Sequence, residues 1–357
     1  MKAQGPALRY FFAVCRLLFP LFGKGKGYII EVNGAGGNAM NIVSSAEIPQ
    51  DMQNHFTATY PSHQFRFCNE MEEAKQYIGS ADILLTYGED LTDELIDQAA
   101  SLKWIMVLSA GIDEMPFQAI KKKGIIVTNS RGIHKIPMAE YAIGMLLQVC
   151  RNTELFIDSQ RSHQWARGER AGLREISNKT MVIVGAGAIG QEVARLAKAF
   201  RMKTIGVSHS GTERSYFDEM YKPKDLTSIL STADFVVSVL PSTKETRGFF
   251  REEHFDKMRP SAIFLNMGRG DAVASETIIH ALDRGKIAHA ILDVFEQEPL
   301  PADHPFWDHE KVTMTPHVSG ASPEYLPRAM DIFEENLEKY ESGETVLVNT
   351  INLDRGY

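Results

Sequence analysis

The sequence predicts two doubly wound parallel-sheet α/β domains, and three observations predict it. From Met40 onward, short apolar runs of strand length alternate with stretches of helical period. The alternation pauses at one long helix-period stretch, 137–150, and then restarts. The second series opens on a glycine-spaced turn, Gly185-Ala186-Gly187-Ala188-Ile189-Gly190, between an apolar run and a helical stretch. Alternating β and α elements build a parallel sheet covered on both faces by helices.

In chain order, the first series places strands at 41–44, 64–68, 82–86, 104–108 and 125–128. Helices are expected between them, including 71–78, 93–100 and 117–123. Gly124 stands just past the last of these, where a left-handed residue ends a helix. The second series places strands at 180–184, 203–207, 235–240, 262–266, 289–293 and 312–315, six in all. Its first helix, 190–200, lines Val193, Leu196, Ala197 and Phe200 along one stripe. The last helix, 323–340, is amphipathic and comes after that series, so it is expected to return to the first domain. The expected division is 40–140 with 321–357 for a substrate domain, and 141–320 for a dinucleotide-binding domain.

A chain of 357 residues is long enough for two cores. With 44% hydrophobic and 24% charged residues it has the balance of a globular protein. A net charge of −8 argues against a general nucleic-acid or anionic-membrane binder. Cys15, Cys68 and Cys150 are widely spaced, which suits a reducing cytoplasm and forms no disulfide or metal framework. No His-Glu-x-x-His spacing occurs, so no metal is expected. Residues 1–39 read as a leader outside the fold. They are basic, and their apolar run 10–22 is broken by Arg16 and Pro20, too short to span a bilayer comfortably. A start at Met40 is the simplest reading, with an anchor or targeting segment as the alternative. Asn33-Gly34-Ala35-Gly36-Gly37 is glycine-rich but leads into a strand, so it is not read as a phosphate loop.

The motif at 185–190 follows a strand and opens a helix, the context of a dinucleotide site. Gly185 permits the tight turn, Gly187 lets backbone approach a pyrophosphate, and Gly190 lets the helix lie against the strand. Ala188 and Ile189 begin that helix. The next strand ends in Ser208-His209-Ser210 with no acid to hold a ribose hydroxyl or repel a 2′-phosphate. The missing acid favours NADP over NAD. Downstream, Arg269 offers a fork for a carboxylate beside a carbonyl. His317 is a proton donor suited to neutral pH, and Glu298 is its candidate carboxylate partner. All three follow strands of the same sheet, at the ends where ligands bind.

The combination of Val184–Gly190, Asn266-Met267-Gly268-Arg269-Gly270-Asp271, Leu292-Asp293-Val294-Phe295-Glu296-Gln297-Glu298-Pro299-Leu300 and Thr315-Pro316-His317-Val318-Ser319-Gly320 resembles the D-isomer-specific 2-hydroxyacid dehydrogenases. The resemblance runs from Met40 to the end, and 348–357 looks like the glyoxylate/hydroxypyruvate reductase-like branch. It implies a flavodoxin-like substrate domain and a Rossmann domain with the site between them. It implies Arg269 on substrate, His317 as acid/base and Glu298 as its partner. Ala110 and Gly111 would grip the substrate carboxylate through their amides, and Asp293 would hold the nicotinamide carboxamide. Leu240 and Pro241 would lie against the adenosine, and Met267 and Gly320, within the shared motifs, would face the cofactor. A cytoplasmic homodimer without stable membrane association, acting on a small 2-keto or 2-hydroxy acid, is the expectation that follows. The chain stops short of the regulatory domain of the long phosphoglycerate dehydrogenases. Arg131, His134, Met138 and Trp165 are further pocket candidates. Two other readings stay open: a dinucleotide-sensing corepressor-like binding protein, and a dehydrogenase of another small anion such as formate or phosphite.

Overall fold

A computed structural model describes residues 39–111, 115–168, 172–344 and 346–353. Most of the expected leader, the 33–37 run, Ile112, Asp113 and the last four residues lie outside the described residues. The first lobe reads β1 (Asn41–Ser44), α1 (Gln50–Thr59), β2 (Gln64–Phe67), α2 (Met71–Ile78), β3 (Ile83–Thr86), α3 (Asp93–Gln98), β4 (Trp104–Val107), α4 (Phe117–Lys123) and β5 (Ile126–Asn129). All its strands pair in parallel in the order β2-β1-β3-β4-β5. That order turns back between β1 and β3, and a crevice opens there at the carboxyl ends. Gly124 caps α4 in the left-handed region at φ 67°, as its position implied.

After α5 (Lys135–Cys150) and α6 (Thr153–Arg161) comes the second lobe: β6 (Thr180–Val184), α7 (Ala188–Ala199), β7 (Lys203–Val207), β8 (Glu219–Tyr221), α8 (Leu226–Ile229), β9 (Phe235–Ser238), α9 (Glu252–Phe255), β10 (Ile263–Asn266), α10 (Ser275–Asp283), β11 (His289–Leu292) and β12 (Val312–Met314). The chain closes with α11 (Tyr325–Glu341). This sheet is also parallel, ordered β12-β11-β10-β9-β6-β7-β8. It is a dinucleotide-binding sheet, reversing direction between β6 and β9. The expected six strands are seven. The extra one, β8, is a three-residue edge strand, Glu219-Met220-Tyr221, whose residues are all only partly buried. An edge strand that short carries no apolar run for a sequence to reveal.

Strand alternation sorts side chains onto two layers. Val182, Val184 and Phe264 point into one core of the second sheet, while Met181, Ile183, Ile263 and Leu265 point into the other. The first sheet does the same. Val43, Leu84, Ile105 and Val107 face α2, α3 and α4, whereas Ile42, Ile83, Trp104 and Met106 face the opposite layer. α11 completes that opposite layer with Ala329, Met330, Phe333 and Leu337. On α7, Val193 and Ala197 are fully buried, with Leu196 and Phe200 packed at the rim of the same cluster. Pro137 does not start α5. The helix begins two residues earlier, and proline is tolerated in a first turn because its missing N–H has no partner there.

Candidate active site

Arg269, Glu298 and His317 follow β10, β11 and β12, three neighbours in one parallel sheet, all at carboxyl ends. His317 Nδ1 lies 2.7 Å from Glu298 Oε2. An ionised carboxylate only accepts, so Nδ1 carries the hydrogen and Nε2 is the free edge of the ring. Glu298 is steadied in turn, its Oε1 accepting from the Phe295 amide at 3.0 Å. Both side chains remain partly open, 49% for His317 and 35% for Glu298, so the pair is reachable by a ligand. The peptide bond from Glu298 to Pro299 is cis.

His317 has a φ of 54°, a left-handed backbone that a side-chain-bearing residue adopts only where its surroundings hold it. The holder is Asp293, which is fully buried at the end of β11. Its carbonyl accepts the His317 amide at 2.8 Å. Its carboxylate accepts the Val318 amide at 2.8 Å, the Ser319 amide at 2.9 Å and the Thr315 hydroxyl at 2.6 Å. The visible work of Asp293 is therefore to fasten the loop that bears His317. Met267 is also interior, its side chain packed in the core, so only its backbone is placed to face a ligand.

The arginine is exposed, and its Nη1 donates to the Gly268 carbonyl at 2.9 Å. Its neighbours Gly268 and Gly270 clear space for protein. A Cβ would come within 2.5 Å of the Leu240 carbonyl oxygen at Gly268, and 1.9 Å from the Phe295 carbonyl at Gly270. The loop is thus pressed between the segments that follow β9 and β11.

From the first lobe, β4 delivers Ser109, Ala110 and Gly111. Their carbonyls are drawn aside: Asn129 Nδ2 donates to Ala110 at 2.8 Å and Ser109 Oγ to Gly111 at 2.6 Å. Among the described residues, neither the Ala110 nor the Gly111 amide donates to a protein acceptor, an arrangement suited to an anion. His134, just before α5, donates from Nδ1 to the Gly320 carbonyl at 3.2 Å and packs 5.2 Å from the Tyr325 ring. Burial, together with the nearby Arg269 charge, lowers its pKa below the usual histidine value. Of the other pocket candidates, Met138 is a core residue, Trp165 is 90% exposed, and Arg131 is exposed after β5.

The turn after β6 fits a dinucleotide. Gly185 takes φ 107°, and a Cβ there would strike the Val239 carbonyl oxygen at 2.7 Å. A Cβ on Gly190 would lie 2.2 Å from the Gly185 carbonyl oxygen, so α7 can approach only as glycine. Gly187 differs: a Cβ there meets nothing within 4 Å. Packing does not demand that glycine, and the open space lies at the amino end of α7, where amides attract phosphate. Gly187 and Ala188 are exposed there, while Ile189 turns partly into the core. Leu240 is buried and Pro241 exposed beside the turn. At the end of β7 the Ser208 hydroxyl accepts the Gly211 amide at 3.2 Å and Ser210 pairs with Thr212 at 2.8 Å. His209 is exposed. Among the described residues no cluster of three metal-ligating side chains occurs, and no helix is long and apolar enough to cross a membrane.

Sequence reading missed the buttress behind the histidine loop. Tyr141, Thr315 and Asp293 form one chain of hydrogen bonds, with Tyr141 hydroxyl and Thr315 Oγ1 2.7 Å apart. Its one sequence signal was the seven-residue spacing of His134 and Tyr141 on a helix that touches this loop twice.

Comparison with known proteins places these features together. The family model described as D-isomer specific 2-hydroxyacid dehydrogenase, NAD binding domain, matches residues 143–319. A glyoxylate reductase of Thermofilum pendens is 34% identical over 281 residues, covering 76% of this chain and 82% of that protein. A D-3-phosphoglycerate dehydrogenase of Methanocaldococcus jannaschii is 33% identical over 79% of this chain, which spans only 54% of that longer relative. Among solved structures, a D-isomer specific 2-hydroxyacid dehydrogenase family protein from Aeromonas salmonicida subsp. salmonicida superposes with a TM-score of 0.76 at 33% identity, covering 89% of this chain and all of that one. A D-isomer specific 2-hydroxyacid dehydrogenase from Xanthobacter autotrophicus, solved with NADPH and MES, gives 0.72 at 25% identity, again covering 89% of this chain and all of that one.

Proposed function

This chain belongs to the D-isomer-specific 2-hydroxyacid dehydrogenase family, and on that premise we propose that it reduces a small 2-keto acid to the D-2-hydroxy acid with NADPH or NADH. The observation that carries the proposal is the 2.7 Å His317–Glu298 pair, formed by the segments after the two strands that succeed Arg269's own in the sheet.

The roles follow from the chemistry of each group. When bound, the reduced nicotinamide supplies the hydride. The Gly185–Gly190 turn and the amides opening α7 hold its pyrophosphate. The amides of Ala110 and Gly111 and the Arg269 fork take the substrate carboxylate, and the same guanidinium polarises the keto oxygen. His317, protonated and oriented through Nδ1 by Glu298, delivers the proton from Nε2 to that oxygen as its charge rises. Keto acid, hydride and one proton balance to the hydroxy acid. The division of labour follows the lobes, with residues 40–140 and 321–357 serving the substrate and 141–320 the dinucleotide. The absence of an acid at Ser208-His209-Ser210 supports NADP over NAD. Glyoxylate, hydroxypyruvate and pyruvate-sized acids suit the reading, which is supported by the names of its relatives. A homodimer is part of it, supported by the exposed apolar residues Leu155, Phe156, Ile157 and Trp165 around α6.

The test is oxidation of NADPH and of NADH by the purified full chain with glyoxylate, hydroxypyruvate, pyruvate and bulkier 2-keto acids. Turnover that vanishes in Arg269→Ala is the expected result. A clear preference for NADH would defeat the NADP assignment. Dinucleotide binding without turnover on any of these acids would favour a sensor or a different small anion.

A further inference from the structure

The loop 315–320 is fastened from behind as well as from within its own sheet. Thr315 donates its hydroxyl hydrogen to Asp293 Oδ1 at 2.6 Å, because a carboxylate can only accept. Its oxygen is then left to accept, so the 2.7 Å contact with Tyr141 runs from the tyrosine hydroxyl to Thr315 Oγ1. The direction Tyr141 to Thr315 to Asp293 is fixed by donor count alone, and it ends on a charged acceptor, the strong kind of hydrogen bond. At the far end of the same loop, His134 Nδ1 donates to the Gly320 carbonyl at 3.2 Å. Contact there is close enough that a Cβ on Gly320 would fall 2.9 Å from that nitrogen.

His134 and Tyr141 are seven residues apart, about two helical turns and roughly 10 Å along one face of α5. The same helix packs Met138, Ala139, Ala142 and Ile143 into the core under the second sheet, with Tyr141 at the rim of that cluster. Just before the helix, Ile133 packs in the core of the first lobe. α5 therefore straddles the two lobes and touches the histidine loop at both ends.

We propose that α5 is a two-point clamp on the loop that carries the acid/base histidine, with Tyr141 and His134 as positioning residues that act on His317 through Thr315, Asp293 and Gly320. The clamp rests on the reading of His317 given above. Its purpose is to hold the left-handed backbone at 317 so that Nδ1 stays against Glu298 and Nε2 stays on the substrate. Burial suits both clamping groups to the task. It pushes the Tyr141 phenol up to about 12, so the donor survives across the working pH range. It also lowers the His134 pKa, favouring the neutral ring, whose Nδ1 hydrogen meets the Gly320 carbonyl.

Tyr141→Phe removes one hydroxyl and keeps the ring. Losing one hydrogen bond that positions the acid should lower kcat about tenfold, with keto-acid KM and dinucleotide Kd changed by less than about twofold. Thr315→Ser keeps the relay oxygen and should retain kcat to within about twofold, whereas Thr315→Val should lose at least as much as Tyr141→Phe. The double variant Tyr141→Phe/Thr315→Val should be no worse than Thr315→Val alone, since both break one chain. His134→Asn, which keeps a donor near Nδ1, should outperform His134→Ala. Amide hydrogen exchange of the peptide over 315–320 gives a readout independent of turnover, and should quicken in Tyr141→Phe. Unchanged exchange, or additive losses in the double variant, would overturn the clamp. Faster exchange with full kcat would overturn the positioning role. His317→Ala then separates the causes: if it too keeps full kcat, the acid/base assignment has failed, and if it does not, the clamp alone has.

Discussion

At the scale of single residues, the site is a set of atoms made unambiguous by what each can donate. Glu298 fixes one edge of the His317 ring, and Asp293 fixes the backbone on either side of it. Removing the ring should therefore remove the proton and little else. His317→Ala should cut kcat by roughly 100-fold or more while leaving dinucleotide Kd in place, as titration of cofactor fluorescence would report. A near-normal kcat would take the histidine out of that role. Glu298→Gln keeps shape but loses charge. Reduction draws its proton from a ring whose Nδ1 edge is held by Glu298. Losing that partner's charge should lower kcat by roughly tenfold or more with dinucleotide Kd unchanged, and an unchanged kcat would show the pairing to be idle. The grouping of Arg269, Glu298 and His317 was legible because each is a reactive type next to a strand end. Asp293 was legible only by resemblance, as a cofactor ligand, because nothing in a sequence shows that a carboxylate is buried under three donors from a loop more than twenty residues away.

Whole elements obey packing, and the glycine turn separates packing from ligand binding within six residues. Gly190 faces backbone at 2.2 Å, and Gly187 faces open space. Gly190→Ala should cost roughly 3 kcal/mol or more in a urea melt, since neither α7 nor the turn can retreat cheaply. Gly187→Ala should melt normally and bind dinucleotide at least about tenfold more weakly, because the methyl group enters the pyrophosphate's space. Equal stability losses in both would refute the distinction. Strand pairing carries a second consequence. His289, on β11, places Nε2 2.8 Å from Thr313 Oγ1 on β12, and burial pushes its pKa down from 6.5 to about 4. A histidine held neutral in the fold binds a proton more readily once unfolded. Its contribution is complete above pH 6.5 and is lost as pH falls toward 4, about 3 kcal/mol at the limit. His289→Gln should flatten the acid limb of urea midpoints measured between pH 7 and pH 4.5, and an unaltered slope would assign that limb to other groups. Helices with a clear period and a glycine stop, such as α2 and α4, match their sequence-derived bounds to the residue. β8 escaped because an edge strand of three half-buried residues has neither run nor period.

Across the whole molecule, the chain's order in sequence departs from its order in space. α11 follows the last strand of the second sheet, yet it packs Phe333 and Leu337 onto Trp104 and Ile83 of the first. Its apolar stripe was readable, and its destination was an inference from its place after a completed sheet. The physical reason lies in the first sheet, whose face bearing Ile42, Trp104 and Met106 needs an apolar cover. Trp104 stacks 5.5 Å from Phe333 and 5.6 Å from Tyr340 and is fully buried, which makes its emission a reporter of this joint. Phe333→Ala should destabilise that joint by about 3–5 kcal/mol, the cost of an aromatic lost from a close-packed core. The consequence divides by lobe. In Phe333→Ala the Trp104 transition should move to lower urea and keto-acid turnover should fail with it. Dinucleotide binding should persist beyond that transition, because the residues around Gly185–Gly190 rest on a separate core. Excess dinucleotide, which stabilises only what binds it, should then raise the melting of the second lobe by about 2.7 kcal/mol at a hundredfold over Kd and leave the Trp104 transition nearly where it was. If the two transitions instead moved together, α5 and its grip on the histidine loop would couple the lobes into one cooperative unit, and the separate cores would not be separate folding units.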